Sequence, residues 1–377
     1  MIKAMESDSL LEYFRARQPA FLDLMKRLVA METVSGDARR INLFLDFLER
    51  LFQPFAPQRH RIGGNNGDML ILSLNPRKKP LRVLLAHVDT TPTAVNECRL
   101  RGRYLHGTGA YDMKNAIALF YFALRAIHDR KLVVPCQLKI ILTSDEETGS
   151  SASLPRLMRI CRRARAVLLP EPSGPAGEAK VMRKATAHIR FALAGRAVHS
   201  GLEPERGCDA NRALAELIFR LDELISRYRD MTFNPGLIAG GKAVNVVAPA
   251  SQLQGEIRSF STVHVRRAMR DMRKISVIAG AQVHFSGRIA HPALEFTAAN
   301  RRLYRQAEKI MRALGCRLGR CASGGASDGS FLSAAGIPVL DGIGMRGRGA
   351  HSAREAIDVM DFPHRAALLT RLILERP

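Results

Sequence analysis

The chain is 377 residues long and 46% hydrophobic, which supplies a sizeable core and is comfortable for two domains. Its 58 Lys and Arg exceed its 35 Asp and Glu, giving a formal charge of +23, yet the basic residues are spread out with no tail, aromatic-interleaved patch or nucleic-acid motif, so nucleic acid is not an expected partner. No apolar run approaches the roughly 20 residues of a bilayer span, the segment MIKAMESDSLLEYFRARQ lacks the apolar stretch of a secretory signal, and six scattered cysteines contain no CxxC pair; the expectation is a cytoplasmic protein with reduced thiols and no membrane attachment.

Residues 8–52 carry apolar side chains at helical spacing and predict two helices around a turn at Ser35-Gly36-Asp37. Short apolar runs follow at 69–74, 82–86, 137–142 and 166–169, with a helix expected over about 115–130. Continuous apolar strands alternating with helices predict an α/β layer with a mainly parallel, buried sheet and helices on both faces. From about Val181 the texture changes to alternation, as in AHIRFAL at 187–193 and SQLQGEIRSF at 251–260. Helices at 209–228 and 263–278 and a strand at 281–285 complete a strand-helix-strand-strand-helix-strand order, a small α/β sandwich. A helix at 298–314 and the run GIPVL at 336–340 read as a return to the first sheet. The expected organisation is a catalytic domain, 1–180 and 290–377, interrupted by an inserted domain at 181–289.

Three of the buried strands end in side chains that hold metals. Val83–Ala86 runs into His87-Val88-Asp89, Ile140–Leu142 leads to Asp145-Glu146-Glu147, and Val167–Leu169 runs into Pro170-Glu171. Sites in open α/β sheets form at the carboxyl ends of strands, and imidazole with carboxylate is a donor set that zinc takes in hydrolytic sites. Asp112 in GTGAYDMK and His351 in GRGAHSARE add two further donors. Gly107-x-Gly109 is no dinucleotide fingerprint, since the third Gly and the upstream strand are missing. Each motif alone is weak. Together, two His and three carboxylates make a site for two divalent ions with one bridging carboxylate, about 4 Å apart. Eight further histidines, His60, His106, His128, His188, His264, His284, His291 and His364, have no motif context and receive no ligand role.

The stretches AHVDTTP, GTGAYDMKNA, TSDEETGS, EPSG, GRAVHSG and GGASDGSFLSAAGIPVLDGIGMRGRGAHSAREAI occur in the order and spacing of a known family. The chain resembles the two-zinc aminoacylase and carboxypeptidase family, which includes glutamate carboxypeptidase, acetylornithine deacetylase and succinyl-diaminopimelate desuccinylase, and it is most similar to the glutamate carboxypeptidase branch. One departure is Asn115-Ala116, where members carry Gly-Gly; it bears on helix packing rather than ligation. The resemblance implies that Asp112 bridges two divalent ions, most often Zn2+ with Co2+ or Mn2+ as substitutes. It implies His87 and Glu171 at one ion, and Glu147 and His351 at the other. Glu146 would be the general base and Asp89 would orient His87. The inserted domain would be a lid and homodimerisation domain whose His199 reaches the partner's active site and stabilises the oxyanion. Asn245 and Arg258 would hold the substrate carboxylate, with backbone donors from the loop that contains Gly325 and Ser327. The implied substrate is a small peptide or an N-acyl amino acid.

Three other readings compete. A two-metal phosphoesterase uses similar ligands but needs no oxyanion histidine from another domain. A silent binding protein of this fold is disfavoured by an intact Glu146. Nucleic-acid binding driven by charge predicts steep salt dependence.

Overall fold

The computed structural model describes residues 7–92, 98–277 and 280–375. Residues 1–6, where the segment read as lacking a secretory signal begins, and residue 278, the expected end of a helix, lie outside them. The chain divides into two compact units: Met1–Val181 with Phe296–Ser323 and Ser327–Pro377, and Met182–Glu295 with Gly324–Ala326.

The first unit is built on a six-stranded sheet. Its strands are β1 (Gln58–Ile62), β2 (Met69–Leu74), β3 (Leu81–His87), β4 (Gln137–Thr143), β5 (Ala164–Leu169) and β6 (Val339–Asp341), in the spatial order β1-β2-β4-β3-β5-β6. β4, β3, β5 and β6 pair in parallel, and β1 and β2 form an antiparallel margin. Every residue of β3 after Leu81 is buried, as expected of a central strand covered on both faces.

The N-terminal region holds three helices rather than two: Ser7–Arg15, Gln18–Ala30 and Ala38–Phe52. The extra break precedes Pro19, in the first turn of the second helix. Proline has no N–H to donate backwards and disfavours helical geometry in the residue before it, so it starts a helix more readily than it continues one. Asp37 opens the third helix by accepting from the Arg40 N–H. A further helix, Phe362–Leu374, is buried almost all round and packs on Asn115–Asp129. Phe362 stacks on Phe21 with ring centroids 4.1 Å apart, and Phe14 and Phe122 meet its ring edge-on. Such ring pairs add about 0.5–1.5 kcal/mol each beyond area burial. A small sheet of Arg99–Arg101, Tyr104–His106, Ala356–Asp358 and Gly347–Arg348 ties the late chain to the segment before Asp112.

The second unit is an antiparallel sheet of Thr232–Gly240, Ala250–Ser259, Ala185–Ala194 and Gln282–His291, in that spatial order, with helices Ala210–Ser226 and Thr262–Met272. Alternation along Ala185–Ala194 puts Ala187, Ile189, Phe191 and Leu193 into a core shared with Leu214, Leu217, Leu221 and Val265. The last strand runs past the expected boundary at 289, and the second helix stops at Met272.

Candidate active site

Parallel pairing brings the three motif-bearing strand ends together. His87 is the last residue of β3 and lies opposite Thr143 at the end of β4, while Leu84 lies opposite Leu168 of β5. One turn of 3-10 helix, Glu146–Thr148, follows β4, and Pro170-Glu171 follows β5. Asp112 sits in the irregular segment before the helix Asn115–Asp129.

The donor atoms converge in pairs. His87 Nε2 is 3.2 Å from Asp112 Oδ1 and 3.8 Å from Glu171 Oε1. His351 Nε2 is 3.3 Å from Asp112 Oδ2 and 3.1 Å from Glu147 Oε2. The two oxygens of Asp112 therefore face different imidazoles, and each imidazole has a further carboxylate of its own. Ligand atoms of His87, Asp112 and Glu147 all lie within 4.8 Å of one another. Burial opposes an ionised Asp112, but its contacts with His351 and His87 hold it below the usual carboxylate range. Contacts with Asp112 and Glu147 push His351 up to about 10.

Two observations show that the residues fit divalent cations. Glu147 Oε1 is buried and has no hydrogen-bond partner among the described residues, a cost a cation would remove. His87 Nδ1 is 2.8 Å from the main-chain oxygen of Asp89 and so donates to it, which leaves the Nε2 lone pair for a metal.

Asp89 meets His87 through its main chain. It orients His87 through its main-chain carbonyl, while its carboxylate stays 3.6 Å from Nδ1. Oδ1 and Oδ2 instead accept from the N–H groups of Glu146 and Glu147, at 3.2 and 3.1 Å, and Oδ2 also from Ser35 Oγ. The acidic turn is thus held by its backbone, leaving two neighbouring glutamates free to differ in side-chain task. Glu147 contacts His351, and no ion-pair contact joins Glu146 to either imidazole among the described residues. Burial pushes the Glu146 carboxyl well above its usual value; His87 opposes this, and Glu171, Asp328 and Glu147 add to it. Asp145 orders the same loop, its Oδ2 accepting from Ala152 and Ser153 N–H.

The sequence profile of "Peptidase family M20/M25/M40" matches residues 83–375. The chain belongs to this family. Among curated relatives, carboxypeptidase G2 of Pseudomonas sp. (strain RS-16) is 25% identical over 372 residues, covering 95% of this chain and 89% of that one. Acetylornithine deacetylase of Proteus mirabilis (strain HI4320) is 26% identical, covering 73% and 76%. Among solved structures, the aminopeptidase PepT of Bacillus cereus ATCC 10987 superposes with a TM-score of 0.81 at 20% identity, covering 94% of this chain and 98% of that one. As an M20 protein the chain is a hydrolase of the metallopeptidase and amidohydrolase kind.

In this M20 chain two residues to which sequence reasoning gave no part in the site hold the Asp112 segment. Glu355 is 3% exposed, and its carboxylate accepts from the N–H groups of Gly109, Tyr111 and Asp112 at 3.0, 2.8 and 2.9 Å. Asn115, the departure assigned above to helix packing, is fully buried. Its amide donates to the Ala110 and Tyr111 carbonyls and accepts from the Met345 N–H. Glu355 stands in the quoted GRGAHSARE, but nothing in the sequence aims it at residues 109–112. Glu355→Leu strips the acceptor from all three amides. Groups that support metal ligands cost about 10–100-fold in metal affinity when removed, so a zinc titration should show a loss of that size. Unchanged affinity would make Glu355 a purely structural residue.

The remaining expected residues lie mostly in the second unit. His199 is exposed, and its Nδ1 accepts from Gly201 N–H. Its loop pairs with the loop of Asn245 through Ser200 N–H to Asn245 O and an isolated bridge between His199 and Val246. Arg258 is forked onto Glu256 and also donates to the Gly324 carbonyl at 2.6 Å. The Gly325 carbonyl accepts from Arg183. Ser327, in the first unit, is fully buried with Oγ donating to Asp341, so its hydroxyl is already engaged.

Proposed function

We propose that this M20 chain hydrolyses an amide bond next to a free carboxylate, as a glutamate carboxypeptidase-like metallopeptidase. The observation that supports it most is the pair of opposed imidazoles on the two oxygens of Asp112, with Glu146 beside them and uncommitted. His87, Asp112 and Glu171 would hold one divalent cation, and His351, Asp112 and Glu147 the other. Zinc suits this all-imidazole and carboxylate set, with cobalt or manganese able to replace it. When bound, the cations polarise the scissile carbonyl and acidify a water.

The chain's own groups do the rest. Glu146 takes a proton from the attacking water at its carboxylate and returns it to the leaving amine nitrogen. His199 donates from its imidazole to the developing oxyanion, delivered from a partner subunit. Asn245, Arg258 and the loop with Gly325 and Ser327 would hold the substrate's carboxylate. An exposed edge strand in the second unit, with Leu237 65% and Ile238 57% accessible, supports self-association there. No helix among the described residues is long and apolar enough to cross a membrane. The proposed location is the cytoplasm, where the six free cysteines would stay reduced.

Coverage of 95% of the chain by the carboxypeptidase relative favours peptide cleavage. The second reading, N-acyl amino acid deacylation, rests on the likeness to the acetylornithine enzyme. A panel of glutamyl-capped peptides and folates against N-acetylornithine and N-succinyl-diaminopimelate separates them: turnover of the first group is expected, and turnover of the acyl-amino acids alone overturns the carboxypeptidase reading. In the same assay a chelator should stop turnover, and zinc or cobalt should restore it.

A further inference from the structure

Away from the metal cluster, the first unit contains a second cleft of about 780 Å3. It lies between the helix Ala298–Ala313 and the segment 317–320, with Ala176 and Glu178 on its rim. A neighbouring cavity of about 550 Å3 continues it past Arg317 towards Arg312. Neither shares a residue with the metal cluster.

The walls are cationic. Arg301, Arg305, Arg317 and Arg320 all face the 780 Å3 cleft. Arg301 and Arg320 both lie on the Phe296 ring, with guanidinium carbons 5.2 and 5.6 Å from its centroid. Elsewhere in the unit arginines close on carboxylates, as Arg61 does on Asp46 and Glu49 and Arg365 on Asp361. Among the described residues, none of the four cleft arginines has a carboxylate oxygen within ion-pair distance. The two acids present are otherwise engaged: Glu178 accepts from Ala176 N–H, and Glu308 faces Arg312 and the Tyr304 hydroxyl. Tyr304 is buried and donates to the Leu318 carbonyl, which fixes the floor between the helix and the segment 317–320.

Like charges gathered in a concave wall reinforce one another's field and attract anions. Guanidinium groups match the oxygens of a phosphate two at a time, and the volume suits a small molecule. We propose that this cleft binds an oligophosphate, either free inorganic polyphosphate or the phosphate tail of a nucleotide.

The test is calorimetric titration of the metal-loaded protein at low salt with inorganic triphosphate, given as its magnesium salt so that it does not strip the metal site. ATP is titrated in parallel. Saturable binding is expected, about tenfold weaker in Arg305→Glu/Arg317→Glu. The control, Arg266→Glu/Arg270→Glu on the exposed face of the helix Thr262–Met272, makes the same charge change and should shift affinity by no more than about twofold. Arg320→Gln, a milder change, guards against misfolding of the double variant, which thermal melting checks, and should weaken binding severalfold. Equal affinity for triphosphate and ATP means the phosphates alone are read; tighter ATP points to the nucleotide; both support the site. An unchanged affinity in the cleft variants, an equal loss in the control, or binding of single-stranded DNA but not triphosphate overturns it.

Discussion

Glu146→Gln should lower kcat by about 10²–10⁴-fold, the usual span of a general base, while metal content stays at the wild-type level. The turn that carries Glu146 is tied down by Asp89 through backbone N–H groups, so the substitution leaves the turn in place and removes only the proton acceptor. Glu147→Gln should do the opposite first, because Glu147 faces His351 and carries the orphaned buried oxygen: metal is lost, and activity with it. Elemental analysis beside kcat distinguishes the two, and metal loss in Glu146→Gln with retention in Glu147→Gln would reverse the roles. The pH profile adds an independent reading. Burial, with Glu171, Asp328 and Glu147, lifts the Glu146 carboxyl above its ordinary value against His87. Only the ionised form accepts a proton, so kcat/KM is full above that raised pKa and falls about tenfold per pH unit below it. That acid limb should vanish in Glu146→Gln.

His199→Ala should cost about 10²–10³-fold in kcat with KM little changed, the loss expected on removing one oxyanion donor. The imidazole is exposed on a loop braced by the Asn245 loop, so truncation leaves the second unit's core untouched. If the donor acts between subunits, mixing His199→Ala with Glu146→Ala protein should restore activity that neither has alone. In a twofold dimer, random exchange rebuilds about one site in four, so recovery should approach about a quarter of wild type. No recovery, in a sample that light scattering shows to be dimeric and exchanging, places His199 in its own subunit or outside catalysis.

Three of the candidate metal donors, His87, Glu147 and Glu171, could be expected near one another because each follows a buried apolar strand, and parallel pairing aligns those ends however long the connections. The order of elements in the second unit was legible for a related reason: alternation survives where one face is buried, as along Ala185–Ala194, whereas Thr232–Gly240 is exposed along nearly its whole length and shows none. Other features left no local trace. The helix Phe362–Leu374 is buried nearly all round and so shows no amphipathic stripe. The small sheet uses strands of two or three residues, too short for a period to register. Glu355 meets Tyr111 across 244 residues of chain, and Asn115 meets Met345 across 230; such hydrogen bonds are set by the tertiary fold. Which atom of Asp89 meets the His87 ring was not legible, since composition does not say whether a carboxylate or its own carbonyl faces a ring.

The interruption of the first unit by the second has a kinetic consequence. His87, Asp112, Glu147 and Glu171 are all made before the chain enters the second unit, whereas His351 follows it. On the proposed ligand assignment, one half of the site could therefore capture a cation during synthesis while the other half has no imidazole. β6 also joins β5 only after the whole insertion has emerged, a long-range closure of the kind that slows folding. A nascent chain should thus pass through a singly metallated stage, and the second cation should enter as a late event of folding.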